Sequence, residues 1–300
     1  MSADVTAEAP GKVVLLGEYA VVDGAPALVA AVDRGVRCEA WRGEGLHIET
    51  PGSDDRFVRP ALVAADARGI YRFSAFNPPK DAETKVGLGS SAAATVAAIE
   101  ASWTLAGRTF TSADVFSLAR AVHHRVQGSG SGIDVAASAY GGVMRYRPDA
   151  PAPLDLDLDL VVIWSGASAS TGPRVQRYLA WTDRASFVRE SEVLVDAFAA
   201  DPIVALRAAR RLLERMASDA GLDYRTPALD QIADLAEAHG GAGKPSGAGG
   251  GDIAVAVLPD ADARTAFIQA CAARGLAQVP VTLYRRGSAR HPGTASGGTP

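Results

Sequence analysis

The sequence predicts an α+β protein built from two domains, each of which mixes strands and helices. The chain has 300 residues, which is enough for two domains of ordinary size. Strand-like and helix-like segments follow one another on both sides of 148–159, a segment with prolines and alternating Asp-Leu pairs. We therefore expect an N-terminal domain over 1–150, a C-terminal domain over 151–287 and a disordered tail over 288–300.

Short apolar runs bounded by turn residues predict the strands, and capping signals predict the helices. The alanine-rich run after Ser90 and Ser91 predicts a helix that one of these serines caps and that stops at Gly107. Thr111 or Ser112 is expected to cap the next helix. The predicted strands of this half lie at 13–16, 27–32, 36–41 and 142–146, and its further helices at 112–126 and 133–139.

The second half begins with a buried strand and continues with a long helical region. Leu206, Ala209 and Leu213 fall on one face of a helix, as packing on a core requires. The helices predicted in this half lie at 173–199, 202–218, 226–239 and 261–274, and the strands at 160–164, 252–258 and 278–284.

Composition argues against several classes of protein. The net charge of −4 gives no reason to propose nucleic acid or an anionic membrane as the partner. No apolar run approaches the ~20 residues of a membrane helix, and the N-terminus lacks a signal-peptide pattern, so we expect a soluble cytoplasmic protein. Cys38 and Cys271 lie far apart, which predicts buried, reduced thiols. His123 and His124 face different directions, so no transition-metal site is predicted.

A glycine loop that runs directly into a predicted helix indicates an anion site. It lies at 85–93 and reads KVGLGSSAA. Glycines let the backbone approach a ligand, and a helix N-terminus offers unpaired N–H groups, an arrangement typical of phosphate binding. Ser90 and Ser91 could cap the helix, bind phosphate or reach Mg²⁺. The residues before the loop are too polar for the central strand of a dinucleotide-binding fold, and the sequence lacks a Walker A pattern.

Three further segments carry candidate polar groups or a dense run of glycine. The segment at 9–19, APGKVVLLGEY, places Lys12 at the start of an apolar strand. The segment at 128–134, GSGSGID, ends in Asp134, which could orient an alcohol, accept its proton, balance a cation or simply cap a helix. Lys12 either pairs with Asp134 or lies at the surface. The segment at 244–252, KPSGAGGGD, is rich in glycine, which is tolerated mainly where a chain turns tightly or touches a ligand.

Three of these segments, at 9–19, 85–93 and 244–252, resemble in their order and spacing the three motifs of the GHMP kinases. This family is named for galactokinase, homoserine kinase, mevalonate kinase and phosphomevalonate kinase. The resemblance spans about residues 8–285. It implies an N-terminal domain like ribosomal protein S5 domain 2 and a ferredoxin-like C-terminal domain. It also implies an active site between the two domains, with ATP and Mg²⁺ as cofactors.

The resemblance further implies a role for each candidate residue. Asp134 is expected to orient or deprotonate the attacking group, while Lys12 keeps Asp134 ionised and stabilises the transferred phosphoryl group. Ser91 is expected to bind the metal or a phosphate. The implied ATP-binding residues are Lys85, Gly87, Leu88, Gly89, Ser90, Ser91 and Ala92. The implied substrate-binding residues are Lys12, Tyr19, Ser131, Ser170, Arg174, Gly247 and Ala248.

Several details resemble the branch of the family that phosphorylates 5-phosphomevalonate. They are the GEY that ends the first segment, the lysine before the glycine loop, GSGSGID, the SAST element at 168–171 and Asp252. The implied partner is that small molecule, and the implied assembly is a monomer or homodimer. A kinase of mevalonate or another alcohol is the alternative. The intact GLGSSAA argues against a related decarboxylase, and the presence of both Lys12 and Asp134 argues against a non-catalytic sensor.

Overall fold

Two β-sheets organise the chain. The computed structural model describes residues 2–78, 86–128 and 130–286. Within these residues the first sheet has the strand order β3-β4-β2-β5-β6, with β1 also paired to β2, and only its β3–β4 pair is parallel. Its strands are β1 (Val5–Leu16), β2 (Ala27–Trp41), β3 (Leu46–Glu49), β4 (Gly69–Phe76), β5 (Val143–Tyr146) and β6 (Ala152–Leu154).

The long strand β2 replaces the two separate strands predicted at 27–32 and 36–41. Both parts pair with β1, across a register shift between Pro10 and Gly11. The first part also pairs with β5 and the second with β4. Gly35 makes this continuity possible, because a Cβ there would lie 2.0 Å from the carbonyl oxygen of Ala9.

Four α-helices accompany this sheet in the described residues, and α2 lies at the centre of their core. It contacts β1 and β2 on one side and the neighbouring helices α1 and α3 on the other. Nearly every residue of α2 after its first turn is therefore buried, many of them alanines that allow close approach. The helices are α1 (Val58–Ala64), α2 (Ser90–Leu105), α3 (Ser112–Gln127) and α4 (Ile133–Tyr140).

The capping predictions for α2 and α3 have mixed outcomes. Gly89, in a left-handed conformation, is the N-cap of α2, so the prediction that Ser90 or Ser91 caps this helix was wrong. Gly107, with φ +70°, follows the end of α2 and donates its N–H to Thr104, as a helix stop should. Thr111 caps α3 as predicted, in a reciprocal capping box with Asp114.

The second sheet contains three antiparallel strands in the described residues, in the order β7-β9-β8. Helices α7 and α8 contact β8, and α9 contacts β7. The strands are β7 (Leu160–Trp164), β8 (Ala242–Pro245) and β9 (Ile253–Val257). The helices are α5 (Thr171–Ala180), α6 (Ala185–Ala197), α7 (Pro202–Asp219), α8 (Pro227–Ala238) and α9 (Ala261–Ala272).

Two predictions for the second half were wrong in their details. The helix predicted over 173–199 is two helices, because Trp181 is extended and Arg184 donates to the carbonyl oxygens of Leu179 and Trp181 at the end of α5. The strand predicted over 278–284 forms only isolated bridges, from Gln278 to β7 and from Leu283 to β2. Its backbone is thus divided between the two sheets, and neither sheet forms a full ladder with it.

A shared apolar core joins the two sheets. One cluster of buried side chains combines residues of β1 and β2 with residues of β7, β9, α6 and α7. Examples are Val13, Leu15, Val162, Phe198 and Val255. The end of β1 lies close to the end of β8, because the Ser246 hydroxyl accepts from the N–H of Val14 and donates to its carbonyl oxygen. These ends carry the glycine-rich segments at 9–19 and 244–252. No helix of the described residues is long and apolar enough to cross a membrane.

Candidate active site

The glycine loop before α2 forms an open cradle. Gly87 and Gly89 both have positive φ, +79° and +78°, and the buried Leu88 anchors the turn between them. The carbonyl oxygen of Leu88 accepts a hydrogen bond of 2.9 Å from the backbone N–H of Lys12. No side chain in the described residues caps the start of α2. Its first backbone N–H groups are consequently available for a phosphate, and the helix dipole favours negative charge there.

Lys12 and Asp134 lie beneath this cradle. Lys12 projects from β1 and Asp134 from the first turn of α4, and their Nζ and Oδ1 atoms are 3.7 Å apart. The Lys12 side chain is 10% exposed and that of Asp134 is 35% exposed, so only the carboxylate opens widely to solvent. A Cβ at Gly89 would lie 3.1 Å from Lys12 Cγ and 3.6 Å from Asp134 Oδ2. The glycine thus lets the loop lie directly against the charged pair.

Ser91 is the second residue of α2, and its hydroxyl is not free to act alone. Its Oγ lies 3.1 Å from Nε2 of His123, a buried residue on α3. The imidazole stacks on Phe57, with ring centroids 4.9 Å apart. Burial lowers the pKa of His123 below its usual value, while the nearby charge of Asp134 acts in the opposite direction. We infer a neutral imidazole at pH 7, which can either accept the hydroxyl proton of Ser91 or donate to its oxygen.

His123 was missed at the sequence level. The spacing of His123 and His124 bears only on whether the pair could bind a metal. A periodic signal was nevertheless present, because position 123 continues the buried face formed by Val115, Ala119 and Val122. A histidine on an apolar helix face that packs on the phosphate loop's helix is a candidate for a site.

The glycine-dense segment at 244–252 lies opposite the end of β1. Tyr19 donates its hydroxyl to the carbonyl oxygen of Ala248 at 2.6 Å. The N–H of Gly247 lies 3.4 Å from Oε1 of Glu18, and the same carboxylate pairs with the completely buried ammonium of Lys244. Burial raises the pKa of Tyr19, so its phenol stays protonated and can donate. Hydrogen bonds therefore hold the segment at 9–19 against the glycine-dense segment at 244–252.

Arg174 reaches the same region from α5. Its guanidinium donates to the carbonyl oxygens of Ser170 at 2.7 Å and Asp223 at 3.1 Å. A Cβ at Gly250 would lie 1.9 Å from the guanidinium, so the arginine can occupy this place only over a glycine. The result is a cation held at the edge of the glycine-dense segment.

The predicted site residues thus fall into two neighbouring groups. One group consists of Lys12, Asp134, Ser91 and the cradle. The other belongs to the glycine-dense segment or lies beside it, and it consists of Tyr19, Ser170, Arg174, Gly247 and Ala248. Ser131 lies in the turn before α4, where its carbonyl oxygen accepts a hydrogen bond from Tyr146. Ser90 is exposed and Ala92 is buried in the first turn of α2. Lys85 lies outside the described residues.

This arrangement is typical of phosphoryl transfer, with a phosphate cradle on one side and a charged pair beneath it. Comparison with known proteins identifies the family of the chain. The family models "GHMP kinases N terminal domain" and "GHMP kinases C terminal" match residues 68–142 and 203–276. A phosphomevalonate kinase from Streptomyces sp. (strain CL190) is 31% identical, over 86% of this chain and 91% of that protein. The chain belongs to the GHMP kinase family.

Other relatives and solved structures agree with this assignment. A mevalonate kinase from Thermococcus sibiricus is 32% identical over 56% of this chain and 59% of its own length. The Streptococcus pneumoniae phosphomevalonate kinase superposes with a TM-score of 0.81 at 21% identity, covering 93% of this chain and 99% of that one. The Methanococcus jannaschii mevalonate kinase gives a TM-score of 0.79 at 17% identity, covering 94% and 98%. The two-domain GHMP kinase fold predicted from the sequence is confirmed.

The protein is therefore a phosphotransferase, as predicted, and its relatives place it among the GHMP kinases of the mevalonate pathway. Kinases of this family use ATP as the phosphate donor, and one solved relative is a phosphomevalonate kinase in complex with phosphomevalonate and AMPPNP.

Proposed function

We propose that this protein transfers the γ-phosphoryl group of ATP to 5-phosphomevalonate, giving 5-diphosphomevalonate and ADP. The observation that carries the chemistry is the Lys12–Asp134 pair, 3.7 Å apart beneath the open glycine cradle. The resemblance over 86% of the chain to a phosphomevalonate kinase supports the choice of acceptor. The cation that Arg174 places beside the glycine-dense segment supports an acceptor with several negative charges.

In this proposal the cradle at 87–92 holds the ATP phosphates through backbone N–H groups and the start of α2. An oxygen of the acceptor phosphate attacks the γ-phosphorus, and the bond to the β–γ bridging oxygen breaks as ADP leaves. A phosphate is already a nucleophile near neutral pH, so Asp134 orients it more than it removes a proton. Lys12 balances the charge of Asp134 and of the phosphoryl group in transfer.

Mg²⁺ is proposed as the metal cofactor of the reaction. Within the described residues, no three His, Cys, Asp or Glu side chains group together as metal ligands. That suits Mg²⁺, which often binds through phosphate oxygens, waters and one or two protein oxygens. The Ser91 hydroxyl, fixed by His123 at the start of α2, is the protein oxygen proposed for it. The metal would neutralise charge that develops on the phosphates.

The acceptor is proposed to lie between Asp134 and the glycine-dense segment. Arg174 offers a guanidinium for a carboxylate or phosphate, and Gly247 and Ala248 offer backbone groups. Tyr19, Ser131 and Ser170 are proposed as further residues that bind the acceptor. We further propose a domain division at 150/151, a cytoplasmic location and a monomeric or homodimeric enzyme. The tail over 288–300, predicted to be disordered, lies outside the described residues.

A kinase of mevalonate is the second candidate. Mevalonate kinases of Thermococcus are 31–33% identical over 56% of this chain. The Lys12–Asp134 pair also suits an alcohol acceptor, since Asp134 could then accept the hydroxyl proton.

The proposed reaction is tested by measuring ADP release with ATP and Mg²⁺ and with mevalonate, 5-phosphomevalonate or 5-diphosphomevalonate added separately. We expect release with 5-phosphomevalonate and no CO₂. Release with mevalonate alone would move the acceptor to the second candidate. Release of CO₂ with 5-diphosphomevalonate would identify a decarboxylase, and no release with any of the three would contradict the proposed acceptors.

Asp134→Asn tests the site itself. We expect turnover to fall on the order of 10²–10³-fold, because a neutral amide does not pair with Lys12 and no longer orients the attacking phosphate as the carboxylate does. ATP affinity, measured by calorimetry, should change little. Asp149→Asn is the matched control, since Asp149 lies on the surface with a 99% exposed side chain. Near-normal turnover in Asp134→Asn would show that the site is wrongly assigned.

A further inference from the structure

Asp252, the last residue of the glycine-dense segment, adopts a conformation that asparagine, aspartate and glycine tolerate best. Its φ is +58°, in the left-handed region. A strained residue beside a binding site is often retained because its surroundings and its function require it. The contacts of Asp252 show what this residue does in the fold.

Three polar groups of Asp252 form hydrogen bonds with the loop between β7 and α5. Its N–H donates to the carbonyl oxygen of Ala167 at 2.7 Å, and its own carbonyl oxygen accepts from the N–H of Ser165 at 2.9 Å. Its carboxylate Oδ1 accepts from the N–H of Ala169 at 3.1 Å. This loop continues into Ser170, whose carbonyl oxygen holds Arg174. Asp252 therefore fixes the segment that carries Ser170, one of the proposed acceptor-binding residues, and that leads into α5, which carries Arg174.

The other face of the same side chain meets the phosphate cradle. A Cβ at Gly87 would lie 2.7 Å from Asp252 Cβ and 3.1 Å from Oδ2. Position 87 must therefore be glycine for the carboxylate to lie where it does. The carbonyl oxygen of Gly87 in turn lies 3.4 Å from Nζ of Lys12. One side chain thus touches both the nucleotide cradle and the acceptor loop.

We propose that Asp252 is a positioning residue that holds the 165–170 loop against the nucleotide cradle and so sets the affinity for the acceptor. This inference rests on the proposed function for the identity of the acceptor, but not for the contacts themselves. The residue acts through Ala169 and Gly87, and neither ATP nor the acceptor needs to touch it.

Three substitutions separate the contributions of shape, charge and backbone strain. Asp252→Asn keeps an acceptor oxygen and tolerates positive φ, so it should behave nearly as the wild type. Asp252→Gly removes the carboxylate and relieves the strain, whereas Asp252→Ala removes the carboxylate and keeps the strain. We expect the Ala169 amide to exchange hydrogen about tenfold faster in the Gly and Ala variants, as loss of a charge-assisted bond implies.

The same variants should show a split in their kinetic constants. We expect the KM for 5-phosphomevalonate to rise about tenfold in Asp252→Gly, with kcat and the KM for ATP changed much less. Asp66→Ala is the matched control, because Asp66 is an exposed aspartate with nearly the same backbone conformation, φ +55°, at the end of α1. It should show general backbone strain without either effect.

The contact with the cradle is tested by combining Gly87→Ala with Asp252→Gly. The strain of positive φ at position 87 is present in both backgrounds and cancels in the comparison. Gly87→Ala should therefore weaken binding of AMPPNP more in the wild type than in Asp252→Gly. Equal losses in the two backgrounds would contradict contact between the cradle and Asp252.

Two results would overturn the inference while leaving the proposed function intact. One is wild-type exchange at Ala169 in Asp252→Gly, and the other is an unchanged KM for the acceptor. If the wild-type protein does not phosphorylate 5-phosphomevalonate, the proposed function fails instead. Hydrogen exchange and AMPPNP binding then still decide the role of Asp252, because neither measurement requires turnover.

Discussion

At the scale of single residues, the buried His123 shows how packing sets the chemistry of a side chain. Its imidazole lies between Phe57 and Ser91, and burial lowers its pKa. The folded protein therefore resists protonation of this group, while the unfolded chain takes up a proton near pH 6.5. A histidine whose pKa is lowered on folding stabilises the fold less and less as the pH falls below 6.5.

The free energy of unfolding should consequently decrease between pH 7.5 and pH 5.5, and part of the decrease should come from His123. The slope from one such group is at most about 1.4 kcal/mol per pH unit. The free energy of unfolding of His123→Gln, measured by urea unfolding at the two pH values, should decrease less than that of the wild type. His124→Gln is the matched control because His124 is its exposed neighbour on α3. An identical decrease in the wild type and His123→Gln would disprove this account.

Which residues the sequence could reveal depends on what their signals report. Lys12 and Asp134 stand out because charged residues beside glycine-rich turns are unusual, and the structure does place their side chains together. His123 lies beside no glycine-rich turn, and its place on the apolar face of α3 does not reveal that this face contacts the start of α2. Asp252 does follow a glycine-dense run, but its role depends on partners that are distant in the sequence, Ala169 83 residues before it and the cradle.

At the scale of elements, the start of α2 combines a helix terminus with a turn that only glycine allows. Gly89→Ala would place a methyl group 3.1 Å from Lys12 Cγ at a φ of +78°. We expect weaker ATP binding and a loss of turnover, because the cradle must shift away from Lys12 and Asp134. Urea unfolding and the KM for ATP measure the two effects separately.

Gly107 provides the control at the opposite end of the same helix. Its φ is +70°, and an added Cβ would meet no described atom within 4 Å. Gly107→Ala should therefore carry similar backbone strain, on the order of 1–2 kcal/mol, without altering the KM for ATP. If both variants bind ATP equally well, the position of Gly89 against the charged pair has no bearing on nucleotide binding.

Elements were predictable where their signal is local. The cap of α3, predicted at Thr111 or Ser112, and the stop at Gly107 follow from local sequence signals, and the structure has Thr111 as the cap and Gly107 after the helix. The start of α2 was misassigned because a serine at the first helical turn resembles an N-cap when its contacts are unknown. The final strand was overestimated because an apolar run does not show that its pairing is divided between two sheets.

At the scale of the whole molecule, one buried ion pair connects the two halves of the fold. Glu18 follows the end of β1 in the first sheet, and Lys244 lies in β8 of the second. Lys244 is 0% exposed and Glu18 is 4% exposed. Burial lowers the pKa of Lys244, whereas the carboxylate of Glu18 opposes that change. The carboxylate also reaches the N–H of Gly247, so the pair supports the glycine-dense segment.

Removal of one partner should leave the other as an uncompensated buried charge. We expect Lys244→Met to lower the free energy of unfolding by about 3–5 kcal/mol. Glu18→Leu combined with Lys244→Met should recover much of this stability, because an apolar pair of similar volume has no desolvation penalty. The double variant should still have impaired turnover, since Gly247 has lost a hydrogen-bond acceptor.

Arg215→Met, which breaks an exposed pair with Glu190, should change stability little. Urea unfolding and ADP release on the four proteins separate stability from function, and a double variant as unstable as Lys244→Met would contradict the role of unpaired charge.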